Sequence, residues 1–267
     1  QTCALPIFEY LCIMNFSNII LNWYAINGRE LPWRQTTDPY AIWLSEVIMQ
    51  QTKIAQGTAY WERFIKRWPN VQSLANATED EVLREWQGLG YYSRARNLHK
   101  AAQQIVDLGY FPQTYNELIQ LKGIGEYIAA AVYSIAFAGP VAVVDGNVYR
   151  VLARFFGIEI PIDSTQGKKI FKAIAQDNLA KNAPAAYNQG IMDFGAMQCT
   201  PTLPNCKVCP LIENCFAANN NKVSSLPIKT KKTKQRERHF SYIYIRCKGK
   251  TAIRRRGKGD IWQGLWE

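Results

Sequence analysis

Apolar residues recur three and four positions apart along most of the chain from Phe16 to Phe194, the mark of helices that each bury one face. The spacing predicts helices over 16–27, 40–51, 58–68, 79–85, 93–108, 114–121, 126–137, 145–156, 168–179 and 183–194. Several starts are written into the chain. Asp38-Pro39, the acid-rich Asn76-Ala77-Thr78-Glu79 and Asp163-Ser164 supply residues that cap or preset a first helical turn. Strand-like alternation begins only at about residue 239: Phe240 to Arg246 alternates, Lys248-Gly249-Lys250 makes a turn, and Thr251 to Arg255 is expected to return. The expected class is all-α, followed by the start of a β-containing segment.

At 267 residues the chain reaches the length, roughly 250 to 300, at which a single hydrophobic core stops growing, so two lobes are expected. No apolar stretch approaches the ~18 to 20 residues of a membrane span, and the most apolar run, Ala129 to Val144, is broken by Gly139 and Pro140; no membrane partner is expected. The net charge of +11 lies entirely in the tail. Residues 222–267 hold 14 Lys and Arg against 3 Asp and Glu, which leaves 18 of each sign among residues 1–221. A polyanionic partner of the main body must therefore be argued from local clusters such as Arg94, Arg96 and Lys100. Lys222 to Arg238 reads as a solvated basic linker. The first Met is Met14, and Gln1 to Ile7 resembles a translated sequencing adapter, so residues 1–13 are expected to be an artefact and disordered.

Four of the seven cysteines, Cys199, Cys206, Cys209 and Cys215, fall within 17 residues. Such clustering suits metal ligation in a reducing compartment, and a cytoplasmic location is expected. The spacing is Cys-x6-Cys-x2-Cys-x5-Cys, threaded by Pro201, Pro204 and Pro210. Structural zinc usually takes two short knuckles, and only one is present, which favours a [4Fe–4S] cluster with zinc as the alternative. A second motif, Leu121-Lys122-Gly123-Ile124-Gly125, joins two helices; its glycines allow a sharp turn that leaves backbone N–H groups for an anion. An ordinary αα-hairpin is the alternative, and Lys122, Arg150 and Arg154 favour a DNA phosphate.

Two carboxylates complete the candidate chemistry. Asp145 follows the apolar run at a helix start, where an Asp is ordinarily a cap, yet ionised there it is able to face a developing cation. Glu46 has Ile42, Trp43, Met49 and Gln50 at helical spacing, an apolar face that would raise its pKa and suit it to donating a proton; neutralisation by an Arg across a helix interface is the alternative. One protonated and one ionised carboxyl form the logic of glycosidic bond cleavage through an oxocarbenium-like state.

These features together resemble the helix-hairpin-helix DNA glycosylases, most closely the MutY-type adenine DNA glycosylases. The resemblance is carried by Cys199 to Cys215, by Leu121 to Gly125 with Val144-Asp145-Gly146-Asn147-Val148, and by Leu44 to Thr52. Gly88 to Leu98 and Glu30-Leu31-Pro32-Trp33-Arg34 extend it. It implies removal of adenine opposite 8-oxoguanine or guanine in double-stranded DNA, by a monomer holding one [4Fe–4S] cluster on Cys199, Cys206, Cys209 and Cys215. It further implies that Glu46 protonates adenine N7, that Asp145 stabilises the oxocarbenium ion or briefly bonds C1′, and that Asn147 and Tyr127 support them. Arg29, Trp33 and Gln189 would line the base pocket, and Gln51 and Tyr91 would wedge into the stack, since the bond is out of reach inside a duplex. Lys122, Gly123, Ile124, Gly125, Arg94 and Arg150 would contact DNA.

The endonuclease III-like glycosylase/lyases carry a lysine where this chain has Tyr127, so the resemblance implies a monofunctional enzyme. That lyase branch and a non-catalytic DNA-binding Fe–S protein are the alternatives. The implied organisation is a six-helix lobe over 35–154 with its helix-hairpin-helix at 114–137, and a cluster lobe from 14–34 plus 155–216. A basic linker over 217–238 and the incomplete start of a Nudix-like domain at 239–267 would follow, the latter signalled by Ile261 to Glu267.

Overall fold

The computed structural model describes residues 7–230 and 237–267, with side chains from Phe16 onward in the first helix. Helices follow one another as the periodicity requires: α1 (Ile7–Asn27), α2 (Pro39–Met49), α3 (Ile54–Arg67), α4 (Val71–Ala75), α5 (Glu79–Trp86), α6 (Ser93–Leu108), α7 (Tyr115–Leu118), α8 (Glu126–Phe137), α9 (Gly146–Phe156), α10 (Thr165–Asp177), α11 (Pro184–Asp193) and α12 (Phe216–Asn219). The caps explain the starts. Asp38 accepts from the Tyr40 N–H, and Thr78 with Glu81 and Thr114 with Glu117 close reciprocal capping boxes. Gly109 and Gly157 end α6 and α9 in the left-handed conformation that glycine adopts without a Cβ penalty.

Several elements differ from the periodic reading, among them α7, which covers only Tyr115–Leu118 of the expected 114–121, and α10, which starts three residues early at Thr165. α1 extends back to Ile7, so residues 7–13 are helical where disorder was expected, while residues 1–6 lie outside the described residues. α3 begins at Ile54, with its early turns held by main-chain bonds to the Lys53 carbonyl. The short α4, unforeseen because five residues carry too little periodicity, is closed by an Asn70–Ser73 capping box and buries Val71, Leu74 and Ala75.

Two hydrophobic cores organise residues up to Thr230. Trp43, Leu44, Ile48, Phe64, Leu74, Trp86, Leu98 and Ile105 are buried on α2 to α6, and α8 packs on α2. A second core gathers Phe16 and Ile20 of α1, Val148, Val151, Leu152 and Phe155 of α9, Phe171 of α10 and Tyr187 and Ile191 of α11. The expected lobe boundary at residue 154 is thus moved forward: α9 buries its apolar face with α1, α10 and α11, so it belongs to the second core. The linker expectation is corrected too. Leu226 is buried in that core, Ile228 O accepts from the Ile162 N–H, and Asp163 accepts from Thr230, so residues 217–230 pack on the main body. Residues 231–236 lie outside the described residues.

The described residues 237–267 form a second unit. Its hairpin is shorter than the alternation suggested: β1 (Arg246–Cys247) pairs antiparallel with β2 (Lys250–Thr251) around Lys248-Gly249, both left-handed, and Arg255 bridges Trp266. Tyr242, Ile243, Tyr244 and Ile245 are exposed, and a strand with no buried face has little to fix its length. Among the described residues no helix is long and apolar enough to cross a membrane.

Candidate active site and nucleic-acid interface

α2 and α8 bring Glu46 and Tyr127 together across 81 positions of sequence: the Tyr127 hydroxyl donates to Glu46 Oε2 at 2.7 Å and lies 3.7 Å from Met192 Sδ. Burial raises the Glu46 carboxyl above the ordinary range; the Tyr127 bond and the Arg34 charge oppose the rise, and the Asp145 charge adds to it. Burial, with Glu46 and Asp145 nearby, pushes the Tyr127 phenol well above its usual value, so it remains a donor at neutral pH.

Asp145 is the N-cap of α9. Its Oδ1 accepts from the Val148 N–H and its Oδ2 from Asn147 Nδ2, each at 2.8 Å, so capping and aiming are one act. The sequence expectation of two opposite environments needs correcting here, because burial raises the Asp145 carboxyl as well. The contrast lies in the bonds that oppose burial: Val148, Asn147 and the Arg150 charge act on Asp145, whereas Glu46 has a single bonded donor. Arg150, expected on DNA, is buried. It donates to Asn147 Oδ1, Gly195 O and Cys199 O, and thereby ties the Asp145 loop to the cysteine loop. The close approach is tight, since a Cβ on Gly195 would meet Asn147 Cβ at 2.7 Å.

In front of these groups opens a cavity of about 590 Å³ lined by Tyr127, Asp145, Tyr149, Gln51, Tyr91 and Arg94 among others. Gln51 and Tyr91 are left-handed non-glycine residues (φ 55° and 46°), and Tyr91 is 66% exposed. Each costs about 1 to 2 kcal/mol relative to ordinary backbone, strain of the kind that collects at functional sites. Arg94 is turned inward. Its guanidinium donates to the Val47, Ile48 and Gln50 carbonyls, so it is not the free phosphate ligand that its charge suggested.

At the hairpin, Gly123 has φ 78° and an added Cβ would strike Asn97 Cβ at 2.6 Å, while Gly125 caps α8 in open space. Leu121 and Ile124 are buried anchors and the Lys122 side chain is exposed. Two of the amides expected to face an anion are already engaged: Lys122 N–H donates to Gln104 Oε1 and Ile124 N–H to Leu121 O.

Arg29, Trp33 and Gln189 lie outside the lining of the cleft cavity. Trp33 is buried against Trp61, and Gln189 Oε1 accepts from the Tyr24 hydroxyl at 2.7 Å. Arg29 and Arg34 both grip Asp193, which is fully buried at the end of α11: Arg34 at 2.7 and 2.9 Å, Arg29 through its Nε at 2.9 Å and through its backbone N–H and Nη2. Burial alone would raise the Asp193 carboxyl, but the bonds from Arg34 and Arg29 outweigh it and hold it below the usual range. Arg34 and Asp193 were missed in the sequence. The available signal was an acid inside the apolar run Ile191-Met192-Asp193-Phe194.

The four cysteines are unpaired and partly buried around one small cavity, which Arg154 also lines. Arg154 donates to Cys199 Sγ at 3.4 Å and to the Thr200 and Pro201 carbonyls, stapling the loop. It too was expected on DNA and is buried instead. Burial pushes the Cys209 thiol up to about 11, and the neighbouring cysteines add to the rise. Among the described residues no three such side chains stand close enough around one point for a single ion. The four sulfurs line one shared space and form the donor set this loop offers.

Residues 44–176 match the HhH-GPD superfamily of base excision DNA repair proteins, the class of N-glycosylases built on a helix-hairpin-helix. The adenine DNA glycosylase of Buchnera aphidicola subsp. Schizaphis graminum (strain Sg) is 36% identical over 260 residues, 96% of this chain and 75% of that protein. The Homo sapiens adenine DNA glycosylase is 40% identical over 213 residues, 76% of this chain and 39% of that protein. Among solved structures, a thermostable thymine-DNA glycosylase superposes with a TM-score of 0.72 at 26% identity, over 78% of this chain and 96% of that one. The chain belongs to the adenine DNA glycosylase family.

Proposed function

We propose that this glycosylase removes adenine mispaired with 8-oxoguanine or guanine and leaves an abasic site. The observation that carries the reading is the pair of carboxyls, Glu46 on Tyr127 and Asp145 on Asn147, beside a cleft edged by Gln51 and Tyr91. Adenine is flipped out of the duplex, with Gln51 and Tyr91 filling the gap in the stack. Arg29, Trp33 and Gln189 contribute to the base pocket in this reading. Glu46 donates its proton to adenine N7 as the bond from N9 to C1′ breaks and the electron pair leaves with the base. Asp145, aimed by Val148 and Asn147, stabilises the positive charge on the sugar until water adds at C1′. Lys122 with the hairpin turn contacts the DNA backbone.

Cys199, Cys206, Cys209 and Cys215 hold one [4Fe–4S] cluster in this reading, whose bound form supplies a folding constraint on the loop. The purified protein should absorb near about 400 nm, and Cys209→Ser should lose that band and lower the thermal midpoint. A colourless wild-type protein that retains zinc would reject the cluster. The protein acts as a cytoplasmic monomer, and residues 239–267 belong to a Nudix-like part that reads 8-oxoguanine.

Single-turnover reactions on duplexes with adenine opposite 8-oxoguanine, guanine or thymine test the reaction. Strand breaks at adenine are expected only after alkali, with the thymine duplex spared. Breaks without alkali, with borohydride trapping of protein on DNA, would move the chain to the lyase branch despite Tyr127. Binding with no breaks would make it a non-catalytic DNA-binding protein.

A further inference from the structure

Arg94 occupies the first turn of α6, with its guanidinium between two loops distant in sequence. Nη1 donates to the Val47, Ile48 and Gln50 carbonyls at 3.0, 3.1 and 2.6 Å. These lie at the C-terminal end of α2, where helical carbonyls lack main-chain partners. Nη2 reaches the Leu89 and Gly90 carbonyls at 3.4 and 3.5 Å. The same group stacks over Trp86 at 4.9 Å and Tyr91 at 5.8 Å. Immediately beyond these carbonyls sit Gln51 and Tyr91, the two left-handed non-glycine residues of the cleft. The 87–91 segment is fastened further by the Tyr60 hydroxyl donating to Gln87 O and Trp86 Nε1 donating to Gly90 O. Arg94 touches both loops with one planar group.

We infer that Arg94 is a positioning residue for base extrusion: it joins the end of α2 to the 87–91 loop and so holds Gln51 and Tyr91 in the strained conformations that enter the stack. The inference rests on the adenine-excision reading above. Each left-handed residue would relax toward ordinary backbone if the carbonyls before it were released. Lysine does not replace the group, since an ammonium is a point donor without the planar fork that serves two sets of carbonyls or stacks on two rings. A guanidinium so engaged has little left to offer a phosphate, which separates this role from the electrostatic one its charge implies.

The test compares the unaltered protein, Arg94→Met, Tyr91→Ala and the double variant. Three quantities are read: single-turnover adenine release from an adenine:8-oxoguanine duplex, fluorescence of 2-aminopurine at the target position, and the salt dependence of duplex binding. Arg94→Met should slow release about 100-fold, the scale of a small misplacement in an aligned site, and should suppress the unstacking signal. The slope of log affinity against log salt should stay unchanged, whereas loss of a phosphate contact would reduce it by about 0.9. In the Tyr91→Ala background the same change should cost less than about tenfold, because the two act as a unit. A slope that falls by about 0.9, or losses that multiply fully in the double variant, would overturn the inference. Should Arg94→Met fail to fold, Arg94→Lys, which keeps the charge and loses the fork, supports the release, unstacking and double-variant comparisons; its salt slope stays unchanged under either reading, so parental release, or losses that multiply fully with Tyr91→Ala, is then the overturning result. Lack of adenine release by the unaltered protein would overturn the excision reading and this inference with it, whatever the salt slope.

Discussion

Replacing Glu46 with Gln is expected to slow adenine release by about 10²- to 10⁴-fold while duplex binding persists, the range that a positioned proton donor contributes. The amide preserves shape and the capacity to meet the Tyr127 hydroxyl, and removes only the transferable proton. The pH dependence follows from the direction of the shift. Burial raises the Glu46 carboxyl, so the acid form persists above the usual carboxylate range of about 4.3. Release by the unaltered protein should therefore fall as pH rises through that elevated value, a limb the Gln variant should lose, while protonation of the Asp145 carboxyl, which burial also raises, slows release on the acid side. Stability has the same pH sign. A carboxyl with a raised folded-state pKa contributes stability that is present below its unfolded value and lost as pH rises through the folded one, so Glu46→Gln should be no less stable than the parent at pH 7. Single-turnover rates from pH 5 to 9, with urea unfolding at pH 7, measure both. A variant that keeps the parental rate, or one that loses activity together with several kcal/mol of stability, would remove Glu46 from the acid role.

The periodic spacing was enough to find the long helices, because each buries a continuous stripe: α2, α6 and α8 lie close to where the pattern puts them. α4 escaped because a five-residue helix defined by its caps has no stripe to show. The cysteine loop and both candidate carboxyls were legible for a different reason, being scarce residue types at fixed local spacing. Arginine was where the reading failed. Arg94, Arg150 and Arg154 looked like a phosphate-binding set, yet all three satisfy carbonyls of loops that have no main-chain partners of their own. Sequence reveals the charge of an arginine but not the carbonyls around it, and these come from segments 44 to 72 positions away. The Arg29–Arg34–Asp193 cluster was hidden by the same distance, since its partners stand 159 to 164 residues apart.

That cluster carries the second large expectation. Asp193→Asn should destabilise residues up to Thr230 by about 3 to 5 kcal/mol, because it leaves two guanidinium groups facing a site built for a carboxylate. Asp193 is fully buried, and the Arg34 side chain is only 11% exposed, so water has little access to compensate; Arg29, at 30%, is better placed to turn outward. Arg29→Gln should accordingly cost less than Arg34→Gln. At roughly 2 to 4 °C per kcal/mol for a unit of this size, Asp193→Asn should lower the thermal midpoint by about 10 °C. The sign of the pH effect is also fixed. Bonds from Arg34 and Arg29 hold the Asp193 carboxyl below its usual value, so its contribution is complete above about pH 3.9 and is lost as pH falls through the lower folded-state value. Urea unfolding between pH 2 and 7 should show an acid limb in the parent that is reduced in Asp193→Asn, so the two curves converge at low pH. The reach of the change is functional as well as structural. Asp193 stands directly before the Phe194–Gln198 turn that delivers Gly195 O to Arg150, and the Arg34 charge opposes the rise of the Glu46 carboxyl. Loss of the carboxylate should therefore slow adenine release even at temperatures where the variant stays folded. Equal midpoints for parent and variant, with parallel acid limbs, would show that the two arginines find other partners and that the cluster contributes nothing to the fold.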